Sequence, residues 1–238
     1  LHRVDNWAET AAVSDGMFVC TPPKYHLSYC LACAGSGVPF FVEKPLSTGL
    51  TDLHVDALTQ LIETMQERGA WGMMGQSYRH LPSLQKFGKQ FSHQDILAAE
   101  IWQGQNLADW RPDADYKLSY SASIEQGGVV RDSLSHSLDI ANWLFGEFSH
   151  ITGLVGASGL LGIDAPDVAT ALIKMRNGAQ VTIHNDYWMR PREFTIRVVT
   201  CGKGMNRFEW RFDHTEMSEA YCEETMSFVD GCKRKLQK

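Results

Sequence analysis

Short apolar runs alternate with stretches of helical periodicity over the first 77 residues. The runs GMFVCTPP, VPFFVEKP and WGMMGQSY are bounded by proline, glycine or polar residues, which is typical of short buried strands. Between these runs, YHLSYCLACAGSG and the segment from Ser47 to Arg68 carry apolar residues three or four positions apart, which predicts two helices. The order strand, helix, strand, helix, strand indicates a parallel sheet covered by helices.

After about residue 77 the pattern changes from alternating strands and helices to longer strands and turns. We predict a strand from Ile96 to Gln105, a polar loop over residues 106–126, and a helix over GGVVRDSLSHSLDIANWLFG, which starts at Gly127.

The remaining apolar segments are arranged in two pairs, each separated by a glycine-containing turn. DVATALIKM and AQVTIHNDYW flank Arg176-Asn177-Gly178, and Asn-Gly is a strong hairpin signal. FTIRVVT and MNRFEWRF flank Cys201-Gly202-Lys203-Gly204 in the same way. Successive hairpins favour a mixed or antiparallel sheet. We therefore predict an α/β unit over residues 1–77, followed by an α+β domain over residues 78–238.

The composition narrows the class of function. The chain has 238 residues and a net charge of -6, which argues against non-specific nucleic-acid binding because that requires basic patches. The sequence shows neither an apolar run near the roughly 18 residues of a membrane span nor a signal peptide. We expect a cytoplasmic protein. Its 6 cysteines are too sparse for a disulfide scaffold, and we interpret the pair Cys30 and Cys33 as two small buried residues on a helix, not as a redox or metal pair.

Polar residues follow the first two predicted strands at their carboxyl ends, where open α/β sheets bind ligands. Thr21-Pro22-Pro23 follows the first strand, with His26 just beyond, and Glu43-Lys44-Pro45 follows the second. Each proline fixes the local backbone, so Lys44 is held at the tip of a strand. Taken alone, a Glu-Lys pair at a strand end is usually a solvated ion pair that contributes little to stability.

Three ionisable residues, Asp132, His136 and Asp139, stand at i, i+4 and i+7 on the predicted helix and would share one face. Such a polar stripe is often only the hydrated side of an amphipathic helix. Two features favour a functional face. Gly127-Gly128 permits a close backbone approach to a neighbour or a ligand. The face is also flanked by Leu, Ser and Ala, so a half-buried imidazole there suits general acid–base chemistry.

Together these segments resemble the glucose–fructose oxidoreductase/inositol dehydrogenase (Gfo/Idh/MocA) family of NAD(P)-dependent oxidoreductases. The resemblance rests on CTPPKYH, GVPFFVEKPLS and GGVVRDSLSHSLDIANWLFG in this order, together with GQSYRHLP and the Asn-Gly hairpin. It implies a Rossmann domain followed by an α+β domain with an open mixed sheet. It further implies NAD or NADP as cofactor, a sugar or polyol substrate, and a homo-oligomer formed through the open sheet.

The resemblance also implies roles for individual residues. Lys44 would touch the nicotinamide and orient the substrate, His136 would be the general base, and Asp132 would hold the substrate and assist Lys44. Asp139 is expected to be structural. No metal ligand set is needed for this chemistry. The residues expected to line the cofactor are Thr21, Pro22, His26, Glu43, Lys44, Trp110 and Arg111.

The sequence departs from the family pattern, because the first strand and its G-x-G-x-x-G turn are not in it. A partial sequence, a natural truncation and a misleading resemblance are three explanations, of which we favour the first. A non-catalytic sugar- or dinucleotide-binding paralogue is an alternative function. A metal-dependent hydrolase is another, with Asp132, His136, His184 and Asp186 as ligands.

Overall fold

The structure is a computed structural model that describes residues 10–11, 13–49, 51–110, 112–202 and 204–236. The chain divides into two compact units, and each is described by itself. The first comprises Leu1–Gln76 and Tyr221–Lys238, and the second comprises Ser77–Ala220. The predicted boundary after residue 77 lies next to the division after Gln76. Residues 221–238, which we expected in the second domain, group instead with the first unit.

The described residues contain strands and helices that we number in chain order. The strands are β1 (Met17–Val19), β2 (Phe40–Val42), β3 (Gly72–Met74), β4 (Ile96–Gly104), β5 (Phe148–Gly156), β6 (Val168–Met175), β7 (Gln180–Asp186), β8 (Glu193–Thr200) and β9 (Asn206–Arg211). The α-helices are α1 (His26–Gly35), α2 (Asp52–Arg68), α3 (Pro82–Gly88), α4 (Ser135–Phe145) and α5 (Met217–Leu236). None of the helices in this part of the chain has the length and apolarity needed to cross a bilayer.

The first unit contains the predicted parallel sheet, with its three strands in the order β1-β2-β3. Met17 lies opposite Phe40, and Phe40 lies opposite Gly72. Both predicted helices are present, although α2 begins at Asp52 and not at Ser47. The carboxyl ends of the three strands therefore lie along one edge of the sheet, as the sequence pattern predicted.

Successive residues of β2 enter different apolar clusters because side chains alternate across a strand. Phe40 packs with Cys30 and Cys33 of α1, and Phe41 packs with Phe228 of α5. The interpretation of Cys30 and Cys33 as small buried residues is confirmed, since both are buried free thiols. Burial, with a smaller effect of Cys33, raises the pKa of the Cys30 thiol to about 12.

The second unit is built on a six-stranded sheet in the order β5-β6-β7-β4-β8-β9. β4 and β7 are parallel and the other neighbours are antiparallel, so the predicted mixed sheet is confirmed. Both predicted hairpins are present, and their turns contain Gly178 and Gly204 at φ of 94° and 100°. A glycine is favoured at each of these positions because other residues rarely adopt positive φ.

One face of this sheet forms the core of the second unit and the other face is open. Along β6, Ala171 and Ile173 are buried whereas Leu172 between them is 55% exposed. Leu154 of β5 lies on the same open face and is 81% exposed. The alternation follows from the two-residue period of a strand that is covered on one side only.

The predicted helix over residues 127–146 is not a continuous α-helix. Val130–Leu134 form a π-helical turn, and regular α-helical bonding begins at Ser135. A π turn has more residues per turn than an α turn, so the ideal α-helical spacing applies only from Ser135 onwards, and the shared face of Asp132 and His136 stays a prediction. Asp132 is buried at 2% exposure, whereas His136 is half-buried.

Candidate active site

In the first unit, Thr21 and Pro22 form the loop that leads from β1 to α1. Pro22 is exposed, whereas Thr21 is half-buried. The Oγ1 atom of Thr21 is buried and has no hydrogen-bond partner among the described residues. Since buried hydroxyls are usually hydrogen-bonded, this atom is a candidate contact for a ligand at the carboxyl end of β1.

His26 is 1% exposed and joins the loops that follow β1 and β2. Its Nε2 atom lies 2.7 Å from the carbonyl oxygen of Thr21, and its Nδ1 atom lies 2.8 Å from that of Pro45. Both ring nitrogens thus face backbone carbonyls within the unit. The role of His26 as a cofactor-lining residue stays a prediction, and its contacts show that it joins the two loops.

The backbone around Lys44 is held on both sides. The Glu43 amide donates a hydrogen bond of 3.0 Å to the carbonyl of Val19, and the carbonyl of Pro45 faces His26. Lys44 is therefore fixed at the tip of β2, as its position before a proline predicted.

The Glu43 carboxylate lies against Gly75, just beyond β3. A Cβ atom at Gly75 would lie 3.3 Å from Oε2 of Glu43 and 3.0 Å from the ring of Phe41. Partial burial and, to a smaller extent, the negative charge of Glu43 raise the pKa of the Cys20 thiol. The carboxyl ends of β1 and β2 thus contribute polar side chains to this edge of the sheet, and β3 contributes the close backbone approach at Gly75.

In the second unit, Asp132 is the acceptor of a buried hydroxyl network. Its Oδ1 accepts a hydrogen bond from Tyr120 (2.8 Å), and its Oδ2 accepts from Ser121 (2.7 Å) and Tyr187 (3.0 Å). A carboxylate offers about four acceptor positions, so these three hydroxyls occupy most of them. Burial and the Asp132 charge raise the pKa of Tyr187 well above its usual value, which keeps this phenol a donor.

A pocket of about 220 Å³ lies beside this network, within the second unit. Trp110, Tyr120 and Ser121 are among its lining residues, so two of the residues whose hydroxyls bind Asp132 belong to the pocket wall. The Nε1 donor of Trp110 is buried and has no partner in the described part of the chain. The Trp110 ring packs edge-on against Tyr187 at 5.2 Å. Arg111, the other member of the predicted Trp-Arg pair, lies outside the described residues.

The glycine pair before the π turn serves the close backbone approach that the sequence indicated. A Cβ atom at Gly127 would lie 2.3 Å from the carbonyl oxygen of Tyr120. Gly128 has a φ of 70°, and the backbone amide of the next residue, Val129, donates a hydrogen bond to the carbonyl of Pro166. The approach brings the Asp132 turn against the Tyr120 segment, so its target is a neighbouring segment of the same unit.

The two ionisable residues of α4, His136 and Asp139, differ in their surroundings. The His136 ring contacts the Tyr78 ring edge-on, with centroids 4.9 Å apart. Asp139 accepts two hydrogen bonds of 2.7 Å from Arg79, in agreement with the expected structural role of Asp139. His136 is therefore the half-buried imidazole in the segment that carries Asp132. Lys44 belongs to the first unit, whereas Asp132 and His136 belong to the second.

The residues of the metal-hydrolase alternative do not form a ligand set. His184 stacks on Trp102 at 4.0 Å and its Nε2 lies 3.2 Å from Asp186. Asp186 also accepts hydrogen bonds from the amides of Trp188 and Met189 at the end of β7. Among the described residues, no group of three or more His, Cys, Asp or Glu could hold a metal ion.

The sequence patterns did not identify the three hydroxyl partners of Asp132 or one buried residue of α5. Tyr120 and Ser121 lie in the segment predicted to be a loop, and Tyr187 follows β7. The Gly127-Gly128 pair signalled a close neighbour without identifying it. The residue of α5 is Glu224, which is 3% exposed. Its spacing of four residues from Phe228, within an apolar stripe, could have indicated a buried carboxylate.

Family models match most of the chain. The model described as "Oxidoreductase family, NAD-binding Rossmann fold" matches residues 1–76, and the "GFO/IDH/MocA C-terminal domain" matches residues 99–206. The chain belongs to the Gfo/Idh/MocA family. The resemblance seen in the sequence motifs is thereby confirmed.

Two curated relatives are dehydrogenases. Levoglucosan dehydrogenase of Pseudarthrobacter phenanthrenivorans is 25% identical over 186 residues, which cover 68% of this chain and 46% of the relative. Inositol 2-dehydrogenase of Rhizobium meliloti is 27% identical over 139 residues, which cover 58% of this chain and 39% of the relative. The chain thus spans less than half the length of these relatives. Their names give no support to the non-catalytic alternative.

Solved structures of the family share the fold. Levoglucosan dehydrogenase in complex with NADH and levoglucosan matches with a TM-score of 0.70 and 19% identity, covering 87% of this chain and 57% of that one. GenD2 from gentamicin A biosynthesis, in complex with NAD, matches with a TM-score of 0.77 and 16% identity, covering 96% of this chain and 72% of that one. At these identities the likeness shows the fold alone.

Proposed function

We propose that this protein is an NAD(P)-dependent oxidoreductase that transfers a hydride between a nicotinamide cofactor and a secondary alcohol or ketone. The substrate would be a sugar, a polyol or a sugar derivative. The observation that carries the proposal is the pocket in the second unit, whose wall includes Trp110 together with Tyr120 and Ser121, the hydroxyl donors to the buried Asp132. Its volume of about 220 Å³ is below the roughly 300–1,000 Å³ typical for drug-sized ligands, which favours a small molecule.

The first unit fits the cofactor side of this reaction. Dinucleotides bind beyond the carboxyl ends of parallel strands, and Thr21, Glu43 and Lys44 follow two such ends. The buried hydroxyl of Thr21, without a partner among the described residues, is suited to a polar group of the cofactor. We assign His26 the task of holding the Thr21 and Pro45 loops in place.

The proton chemistry is assigned to the second unit. The nicotinamide, when bound, supplies the hydride acceptor. We assign His136 the role of general base, which takes the proton from the substrate hydroxyl oxygen onto an imidazole nitrogen. Asp132 orients the hydroxyls of Tyr120 and Ser121 in the pocket wall. Lys44 would orient the substrate, a role that rests on the family resemblance.

Steady-state oxidation of a panel of alcohols tests the proposal. The panel contains levoglucosan and inositol, named by the relatives, together with common monosaccharides, each with NAD⁺ and with NADP⁺. We expect reduced nicotinamide to form with at least one alcohol. A folded protein that forms none with either cofactor over the whole panel would contradict the proposed activity.

The proposal includes association of identical copies through the open face of the six-stranded sheet. Leu154 and Leu172 are exposed on this face, and contiguous exposed apolar surface is typical of protein interfaces. Sedimentation velocity tests it, because Leu172→Glu should lower the mass of the sedimenting species. We also propose a cytoplasmic location, in which the free thiols of the described cysteines remain reduced.

A further inference from the structure

The C-terminal helix α5 carries a carboxylate within its buried stripe. Ala220, Glu224, Phe228 and Cys232 stand four residues apart and are all buried, with Glu224 at 3% exposure. Residues at this spacing share one face of a helix. A glutamate is rarely buried unless it is paired or hydrogen-bonded, so the partner of Glu224 indicates its purpose.

The partner is the backbone at the carboxyl end of β3. The amide of Gly75 donates to Val42 of β2 at 2.8 Å, and the next amide, that of Gln76, donates to Oε1 of Glu224 at 2.6 Å. β3 is the last strand of the three-stranded sheet, so one of its sides has no strand to accept such hydrogen bonds in the described part of the first unit. Gln76 is 6% exposed, and a buried amide without an acceptor is costly.

Glu224 also stands close to the charge of Glu43. Burial and, to a smaller extent, the Glu43 charge together raise the pKa of Glu224 to about 7, against the opposing effect of the Gln76 amide. Glu43 itself lies against Gly75, one residue before Gln76. The end of β3 is thus placed between a carboxylate from the β2 loop and a carboxylate from α5.

We propose that Glu224 is a positioning residue for the cofactor edge of the first unit. By accepting the Gln76 amide it fixes the end of β3, and with it the surface on which the Glu43 side chain rests. The part of this inference that concerns the cofactor rests on the proposed function. Glu224 has no assigned contact with cofactor or substrate, and it acts through the backbone of residues 75–76.

The test combines amide hydrogen exchange at Gln76 with titration of NADH, followed by nicotinamide fluorescence. Glu224→Leu removes the acceptor, and Glu224→Gln keeps a neutral acceptor of the same length. Glu224→Asp withdraws the acceptor by one carbon with little change in packing, and replaces the Leu variant if that variant does not fold. The matched control is Glu223→Leu, because Glu223 is exposed on the same helix.

We expect Gln76 exchange to accelerate about tenfold or more in the Leu and Asp variants, with a comparable rise in the NADH dissociation constant. The Gln variant and the Glu223→Leu control should match the parent protein. Unchanged exchange in the Leu and Asp variants, or an equal loss in the Gln variant, would overturn the positioning role. If the parent protein binds neither NADH nor NADPH, the proposed function fails, and Gln76 exchange still decides the role of Glu224.

Discussion

The hydroxyl of Tyr187 donates a hydrogen bond of 3.0 Å to the carboxylate of Asp132, and the two side chains are 0% and 2% exposed. This pair lies behind the pocket wall formed by Tyr120 and Ser121, whose hydroxyls bind the same carboxylate. The buried Asp132–Tyr187 hydrogen bond therefore stabilises the pocket wall without itself being a ligand contact.

Removing this support should destabilise the second unit. Tyr187→Phe deletes one of the three hydroxyl donors to a buried carboxylate, and we expect a loss of about 1–3 kcal/mol in the free energy of unfolding. Urea denaturation measures it. Tyr25→Phe, at an exposed tyrosine of the first unit, is the control and should change little. Equal stability of Tyr187→Phe and the parent would show that the network contributes nothing.

The close approach at Gly127 predicts a second loss of stability. An added Cβ would lie 2.3 Å from the backbone oxygen of Tyr120, so Gly127→Ala must displace backbone. We expect a cost of about 1–3 kcal/mol, measured by thermal or urea unfolding. Gly35→Ala is the matched control, because nothing lies within 4 Å of a Cβ at that position. The prediction is wrong if both variants unfold alike.

The proposed base should control turnover without controlling the fold. We expect His136→Ala to lower kcat by about 10²–10⁴, the range of general acid–base catalysis, with an unchanged circular dichroism spectrum. His150→Ala, at an exposed histidine of β5, should retain the parent rate. A His136→Ala variant as active as the parent would remove this residue from the mechanism.

Lys44 makes a separate prediction because it belongs to the first unit. We expect Lys44→Ala to lower turnover strongly while leaving the unfolding midpoint near that of the parent, since the backbone there is held by Val19 and His26. The exposed Lys86 supplies the control variant, Lys86→Ala. Turnover that is equal in both lysine variants would contradict the assigned role.

Glu224 predicts a dependence of stability on pH. Its pKa rises from the ordinary value of 4.5 to about 7 in the folded protein, mainly through burial and further through Glu43. The stabilisation that the folded state gains by binding this proton is therefore fully present below pH 4.5 and is lost as pH rises through about 7. We expect the free energy of unfolding of the parent to fall by up to about 1.4 kcal/mol per pH unit in this window, relative to Glu224→Gln. Glu223→Gln should keep the slope, and parallel curves for parent and Glu224→Gln would contradict the assignment.

Local patterns predicted most of the fold. The apolar runs ending at Pro22 and Pro45, and the Asn177-Gly178 turn, specify strands and a hairpin through short-range backbone preferences. The π turn at Val130–Leu134 was not predictable in this way, because it accompanies a close approach between Gly127 and the backbone of Tyr120 that hydrophobic periodicity does not encode.

The sequence indicated candidate positions for the site and only some of the contacts that these residues make. Asp132 and His136 were recognised from their spacing and family resemblance, but the Tyr187 partner is 55 residues from Asp132 along the chain. Glu224 is separated from Gln76 by 148 residues. Contacts of this kind depend on the packing of whole elements, which no local periodicity encodes.

The central claim is that the first unit belongs to a nicotinamide-dependent enzyme, and direct titration with NADH and NADPH tests it. The chain contains 7 tryptophans, so energy transfer from indole to bound reduced nicotinamide provides the signal. We predict saturable binding of at least one of the two in the micromolar range. A folded sample that shows no transfer with either cofactor would contradict the account.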